Sequence, residues 1–250
     1  MRERLLFVPA WFTSPETCET IPALNTAIYD LSQEYDISVF RWPTISGGPP
    51  AEPSWQGMVE ALTAAIEPRM HLLDVGTGGS LLMLAGRSSE AASFTAAGMI
   101  TPPATLRSLA MDSLAAAAEF VFSTMNSHQY ARLLMQGASE AQWAEAAALI
   151  DEDVDWPYAE QLAKSMLELN LVHEKAGLSI PALYLDTPLT VAGFAEMREV
   201  FLHFVPHAET GELHLWPSHM EDPEAGKELA GKVKSFIAGT VSQGVAAKGQ

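Results

Sequence analysis

The chain has 250 residues, a length at which one α/β domain can bury a sizeable core. Apolar residues make up 48% of the chain and charged residues 18%, a composition typical of globular proteins and not of disordered ones. The net charge of −17 disfavours phosphate backbones and anionic lipids, so we expect neither nucleic acid nor a membrane surface as a partner.

Short apolar runs alternate with helical patterns in the first part of the chain. The runs at 5–8, 37–40 and 71–75 predict buried strands, and a fourth strand is predicted near 93–100. Apolar residues at helical spacing follow the first run, at Ile21, Leu24, Ile28 and Leu31. This alternation is typical of βαβ units and predicts a mostly parallel sheet with helices on both faces.

A long helical pattern interrupts this rhythm from 106 to 171. Ser139 and Gln142 have the spacing of a capping box, and Pro157 stands where a helix would begin. We predict a helical insertion here, between core segments at 1–105 and 172–240. The core resumes with strands predicted at 180–185 and 212–216 and a last helix at 223–237, and a flexible tail is predicted at 241–250.

Three landmarks in this order resemble the α/β-hydrolase superfamily over nearly the whole chain. They are the strand–turn–helix around Gly76-Thr77-Gly78-Gly79-Ser80, the helical block at 106–171, and the loop at 218–224 before the last helix. The resemblance implies a nucleophile elbow, a helical cap and a loop that presents a histidine. It also implies a sheet of about six strands without the N-terminal hairpin of larger members.

Glycine stands at the nucleophile position of the elbow. Against the motif G-x-S-x-G, Gly78 falls on the serine, and Gly79 falls on the residue whose N–H donates to an oxyanion. Covalent acyl transfer by the usual route is therefore disfavoured. Thr77 and Ser80 carry the hydroxyls that could replace the missing serine as nucleophile. Alternatively, the whole segment is a tight glycine-rich turn without a catalytic role.

The resemblance also assigns the other members of the site. His219, in the loop before the last helix, would be the general base. The alternative is that it is an ordinary surface histidine. Asp186 would orient His219 or, equally, begin the turn before Pro188. The N–H groups of Trp11 and Gly79 would form an anion-binding pair. Trp11, Phe12 and Trp42 would form an aromatic pocket floor or belong to the core.

Two functions stay open on these residues. In the first, His219 performs acid–base chemistry of a hydrolase or lyase type on a small apolar ester or carbonyl substrate, without a serine nucleophile. In the second, the protein is a ligand-binding or interaction module without chemistry. A carboxylate near His219 and an open cavity facing Gly78 favour the first, whereas a tryptophan-filled pocket favours the second. In the first case Gly78→Ser is expected to restore esterase activity if the remaining geometry is intact.

The remaining expectations are absences. Cys18 is the single cysteine, so an internal disulfide is excluded, and the apolar run at 5–8 is too short for a signal peptide or membrane span. We therefore expect a cytoplasmic protein. No metal-ligand motif is present, and we expect no cofactor. The expected partner is a small apolar molecule, and a homodimer is left open.

Overall fold

Parallel strands form the centre of the structure. A computed structural model of the chain describes residues 2–124, 126–134, 138–187, 196–217 and 219–247, with backbone alone at 133–134 and 241–247. Within these residues the strands are β1 (Arg4–Pro9), β2 (Asp36–Val39), β3 (His71–Val75), β4 (Ser93–Ala97), β5 (Ala182–Asp186) and β6 (Glu209–Glu212). They form one six-stranded sheet in the order β2-β1-β3-β4-β5-β6. Every neighbouring pair is parallel, which confirms the predicted sheet.

The burial of each strand follows from its place in the sheet. All residues of β3 and β4 are buried, because helices cover both faces of the central strands. Leu6 of β1 pairs with Leu72 of β3, and Leu72 pairs with Phe94 of β4, so apolar side chains continue across the centre. In the edge strand β2, exposed and half-buried residues alternate. Most residues of the other edge strand, β6, are exposed.

Helices connect the strands. In chain order they are α1 (Pro15–Thr20), α2 (Pro22–Ser32), α3 (Trp55–Ala65), α4 (Gly79–Arg87), α5 (Pro103–Ser108), α6 (Asp112–Thr124), α7 (Ser127–Leu134), α8 (Glu140–Asp153), α9 (Trp156–Glu168), α10 (Met197–Phe204) and α11 (Pro223–Ala247). Successive crossovers from β1 to β2 and from β2 to β3 run in opposite directions, so right-handed connections place α2 and α3 on opposite faces. Contacts follow this division, because α2 packs on α11 whereas α3 packs on α4.

Several helix starts carry the expected caps. Ser14 Oγ accepts a hydrogen bond from Thr17 N at 3.0 Å, which fixes the start of α1. The predicted capping box is confirmed at α8, where Ser139 and Gln142 each accept a hydrogen bond from the other's backbone N–H. Pro157 lies in the first turn of α9, as predicted.

Helices α5 to α9 lie between β4 and β5 and form the part of the structure that the sequence predicted as an insertion. We call this segment, 103–168, the insert. One isolated bridge between Ile45 and Val154 joins it to the loop after β2. Among the described helices, none is both long enough and apolar enough to cross a bilayer.

Two predicted elements were placed wrongly. The last strand is Glu209–Glu212 and not 212–216, because an exposed edge strand has no apolar pattern, and the apolar residues Leu213 and Trp216 belong to the loop behind it. The last helix continues to Ala247, past its predicted end at 237 and into the segment predicted as a tail. Ser218 and the segment 188–195 lie outside the described residues.

Candidate functional site

A small cavity lies at the carboxyl ends of the central strands, where α/β sheets place their ligands. We call it the elbow pocket. Its volume is about 50 Å³. Thr77, Tyr130 and Thr187 supply the polar side chains of its described wall, and the rest of the wall is apolar or glycine. The lining residues are Ala10, Leu24, Val75, Gly76, Thr77, Ala97, Gly98, Ile100, Tyr130, Thr187, Trp216, Pro217 and Met220.

The backbone bends sharply at Gly76 and not at Gly78. Gly76 has a φ of +139°, a conformation open mainly to glycine, and follows directly on β3. Gly78 is the N-cap of α4 with an ordinary φ of −84°. The sequence predicted the sharp turn at residue 78, so the geometry of a strained nucleophile position is absent there.

A side chain at Gly78 would force its neighbours to shift. A Cβ atom built on it would lie 2.7 Å from Trp42 Cζ2 and 3.0 Å from Asp74 Oδ1. At Gly79 a Cβ would lie 2.7 Å from both Asp74 Oδ2 and Met99 Cγ. Both glycines are therefore required by close packing, and the space that a nucleophile would occupy is filled.

Trp42 fills that space from the core and lines neither of the two cavities described here. Its side chain is fully buried, and its Nε1 donates a hydrogen bond to Pro9 O at 2.9 Å. The ring packs edge-on against Phe40, with centroids 5.1 Å apart. Of the two predicted roles for Trp42, the structure places it in the core.

Asp74 lies beneath the turn, at a position that sequence reasoning did not select. It is fully buried, and its Oδ2 accepts a hydrogen bond from Gly76 N at 3.2 Å. Its Oδ1 has no hydrogen-bond partner in the described structure. Burial raises the pKa of the Asp74 carboxyl well above its usual range, and the N–H groups of Gly76 and Gly78 offset part of that rise.

The predicted oxyanion donors are not arranged as a free pair. Trp11 N donates to Thr77 Oγ1 at 2.8 Å, so the hydroxyl of Thr77 takes the place of an incoming anion. The Trp11 ring is buried and lies outside the pocket wall. The hydroxyl of Ser80 is also occupied, because it donates to Ile100 O at 3.2 Å and the residue is fully buried.

Phe12 lines a second cavity instead of the elbow pocket. This insert cleft, of about 260 Å³, lies between α6 and α9. Phe12 packs against Tyr130 with ring centroids 5.1 Å apart, so an aromatic wall stands between cleft and pocket. The lining residues of the cleft are Phe12, Phe122, Ser123, Trp156, Ala159, Glu160, Ala163, Lys164 and Leu167.

The structure does not bring His219 to the elbow pocket. Its side chain is 52% exposed, and its Nδ1 lies 3.5 Å from Glu221 Oε1. Met220 lines the pocket in its place and is 1% exposed. The prediction of His219 as a base facing residue 78 is therefore not supported by the geometry, because the turn of the loop directs the neighbouring side chain inward.

Asp186 has the local role that the sequence left as an alternative. Its Oδ1 accepts a hydrogen bond from Thr187 N at 3.0 Å, at the carboxyl end of β5. No hydrogen bond or ion pair joins Asp186 to His219 in the described part of the chain. No group of three or more His, Cys, Asp or Glu side chains among those residues is placed to hold a metal ion.

Solved structures share this architecture. No protein-family model matches the chain, and no curated protein matches it by sequence. A bromoperoxidase from Bacillus anthracis is 12% identical, with a TM-score of 0.74 over 95% of this chain and 92% of that one. A hydrolase from Oleispira antarctica is 10% identical, with a TM-score of 0.70 over the same shares. An enol-lactonase from Burkholderia xenovorans is 13% identical, with a TM-score of 0.63, again over 95% and 92%.

The chain has the α/β-hydrolase fold. The sequence resemblance predicted this, and these likenesses confirm it. These three proteins are named for different activities, so the fold alone does not assign a reaction to this chain.

Sequence reasoning missed the two side chains that shape the elbow pocket of this α/β-hydrolase fold most directly. Tyr130 comes from α7 of the insert, where it was one residue in a long helical pattern. Met220 directly follows His219, which the sequence predicted as the general base. Asp74 carried a usable signal, because a carboxylate inside a buried parallel strand is rare unless its surroundings require it.

Proposed function

We propose that the protein binds a small, mainly apolar ligand in the elbow pocket and performs no acyl transfer there. The single observation that carries this proposal is the filled nucleophile position. Trp42 and Asp74 occupy the space into which a side chain at residue 78 would extend. Acyl transfer needs a nucleophile held within reach of a base, and no described residue supplies that pair at residue 78.

The wall of the pocket supports a binding role. Met220 takes the position beside His219 that faces the pocket, and Leu24, Val75 and Ile100 add further apolar surface. An apolar wall with a few polar groups is the usual composition of a small-molecule site. An apolar cavity of roughly 150 Å³ holds benzene, so a pocket of about 50 Å³ accepts a smaller ligand unless its walls move.

Ligand-dependent thermal stability tests the proposal. A panel of small ketones, esters, alcohols and hydrocarbons is expected to raise the melting temperature, since a ligand that binds only the folded state stabilises it. Ala97→Leu fills the pocket from β4 and should abolish the rise. Ala163→Leu on α9 is the matched control, because Ala163 lines the insert cleft and not the elbow pocket.

The outcomes separate the two cavities. A rise that persists in Ala97→Leu and disappears in Ala163→Leu would assign binding to the insert cleft instead. Hydrolysis of p-nitrophenyl acetate by the wild-type protein, above the rate of a His219→Ala variant, would contradict a purely binding role.

Acid–base chemistry at His219 is the second candidate, and one contact favours it. His219 Nδ1 and Glu221 Oε1 are 3.5 Å apart, so the histidine has a carboxylate neighbour, although it is not Asp186. A reaction at this exposed pair would require a substrate bound at the surface. Glu221→Gln would then shift the pH–rate profile of any turnover, whereas Asp186→Asn would leave that profile unchanged.

A further inference from the structure

The insert cleft is the larger of the two cavities described here, and the proposed function leaves it without a role. Its volume is about 260 Å³, whereas the elbow pocket has about 50 Å³. An apolar cavity of roughly 150 Å³ already holds a benzene ring. The insert cleft therefore has room for a substituted benzene.

One face of α9 forms most of the wall of the cleft. Trp156, Glu160 and Lys164 follow one another at intervals of four residues, so their side chains lie in one row along the helix. A second row at the same spacing consists of apolar side chains, namely Ala159, Ala163 and Leu167. The cleft thus combines an apolar surface with one carboxylate and one ammonium group at its rim.

Aromatic rings supply much of the apolar surface. Phe12 and Phe122 are each 2% exposed and form the floor of the cleft, whereas Trp156 is half-buried and accessible from solvent. Trp156 packs on Phe12 with ring centroids 5.5 Å apart. Its Nε1 donates to Asp151 Oδ1 at 3.0 Å, so a carboxylate lies at the edge of the indole. Ring faces attract cations, and the neighbouring carboxylate strengthens that attraction.

The charges around the cleft favour a cation over an anion. Residues 151–164 contain five acidic residues and one basic residue, Lys164. Lys164 Nζ already donates to Glu160 Oε1 at 2.8 Å, so an anion would compete with that carboxylate. The positive end of α9 is offset by Asp155, whose Oδ1 accepts from Tyr158 N at 3.1 Å. A cation, by contrast, meets a surplus of negative charge.

We infer that the insert cleft binds a small apolar amine as its ammonium ion. The hydrocarbon part packs on the aromatic floor, and the ammonium group donates a hydrogen bond to Glu160 beside the face of Trp156. Arylmethylamines belong to this class. Lys164 bonds Oε1 of Glu160, and Oε2 accepts no hydrogen bond from the described residues, so that oxygen is available to the ligand. The site is separate from the elbow pocket and does not depend on the function proposed there.

Three ligands of similar shape and different charge test this assignment. At pH 7 benzylamine is a cation, benzyl alcohol is neutral and benzoate is an anion. In protein labelled with ¹⁵N at the tryptophan indoles, the resonance of Trp156 reports the insert cleft and that of Trp216 reports the elbow pocket. Trp156→Leu and Trp216→Phe identify the two resonances by their loss. Benzylamine should move the Trp156 resonance at lower concentration than either other ligand and leave the Trp216 resonance unchanged.

Charge variants at the rim sharpen the test. Glu160→Gln should weaken benzylamine binding by roughly twofold to fivefold and leave benzyl alcohol unchanged, as expected for the loss of one exposed ion pair. Lys164→Gln should strengthen benzylamine binding, because it removes a like charge and releases Glu160. Glu145→Gln is the matched control, because this exposed residue of α8 carries the same charge and lies outside the cleft wall. The indole resonance of Trp42, in the core, reports that each variant is folded.

Several results would overturn the inference. If benzyl alcohol or benzoate moves the Trp156 resonance at lower concentration than benzylamine, or if none of the three ligands moves it, the cleft does not bind an ammonium ion. Equal weakening by Glu160→Gln and Glu145→Gln would mean that only the net charge of the protein matters. None of these results decides the proposed function, which the Trp216 resonance and the ligands of the thermal-stability panel test separately.

Discussion

Replacing Gly78 with serine is the sharpest test of the filled elbow. The serine Cβ would lie 2.7 Å from Trp42 Cζ2 and 3.0 Å from Asp74 Oδ1. The indole cannot retreat freely, since it is fully buried and its Nε1 is bonded to Pro9 O at 2.9 Å. The substitution therefore overpacks a rigid site.

The magnitude follows from two opposed effects. Overpacking a close-packed core costs about 1–3 kcal/mol of unfolding free energy. A hydrogen bond from the new hydroxyl to the unpaired Asp74 Oδ1 would return about 1 kcal/mol. We expect Gly78→Ser to lose up to about 2 kcal/mol of unfolding free energy and to gain no esterase activity, contrary to the expectation from the sequence motif.

Urea unfolding followed by tryptophan fluorescence measures the loss. Gly231→Ser in α11 is the control, because a Cβ there meets nothing within 4 Å, and serine favours a helix over glycine by about 0.5 kcal/mol. Trp42→Phe removes the ring atoms nearest Gly78. The double variant should therefore lose less stability than the sum of the single variants.

Two results would refute this reasoning. A Gly78→Ser protein clearly more stable than the wild type would mean that the space at residue 78 is open. A Gly78→Ser protein that hydrolyses p-nitrophenyl acetate would mean that base and oxyanion donors are in place after all.

Three other predictions concern polar side chains. Tyr158→Phe should lose about 1 kcal/mol with its hydrogen bond to Ala51 O, whereas Tyr130→Phe should lose none, as measured by urea unfolding of both variants. For Asp74 the folded pKa is raised above the usual 3.8, so its contribution to stability is complete below about pH 4 and is lost as pH rises towards the folded pKa. The unfolding free energy of Asp74→Asn minus that of the wild type should thus grow with pH above about 4, and a difference independent of pH would contradict a raised pKa. Burial raises the pKa of Cys18 to about 12, so DTNB at pH 8 should leave the native thiol unmodified and react only once urea unfolds the chain.

The central sheet was predictable because each central strand is a short, continuous apolar run in the sequence. Apolar runs such as Leu5–Val8 and His71–Val75 are buried on both faces, and only parallel strands under helices need such runs. The edge strand β6 lacks that signal. Its residues, Glu209 to Glu212, are mostly exposed, and its place is set by pairing with β5 and not by composition.

The candidate site was less predictable, because it depends on which way each side chain points, and the motif spacing does not specify that. Motif spacing located the loop of His219 but could not tell which of two adjacent side chains faces inward. The structure turns Met220 in and leaves His219 52% exposed. Likewise, the glycine pattern at 78–79 marked a close approach correctly, but the atoms that approach come from Trp42, which is distant in sequence.

More than one residue fills the space beside residues 78 and 79. Trp42, Asp74 and Met99 each contact the positions where side chains at 78 and 79 would begin, and Thr77 satisfies the N–H of Trp11 that an oxyanion would need. A nucleophile at residue 78 would require both empty space and an unpaired donor. A single substitution at residue 78 meets neither requirement. The elbow pocket beside this packed turn nevertheless keeps a mainly apolar wall.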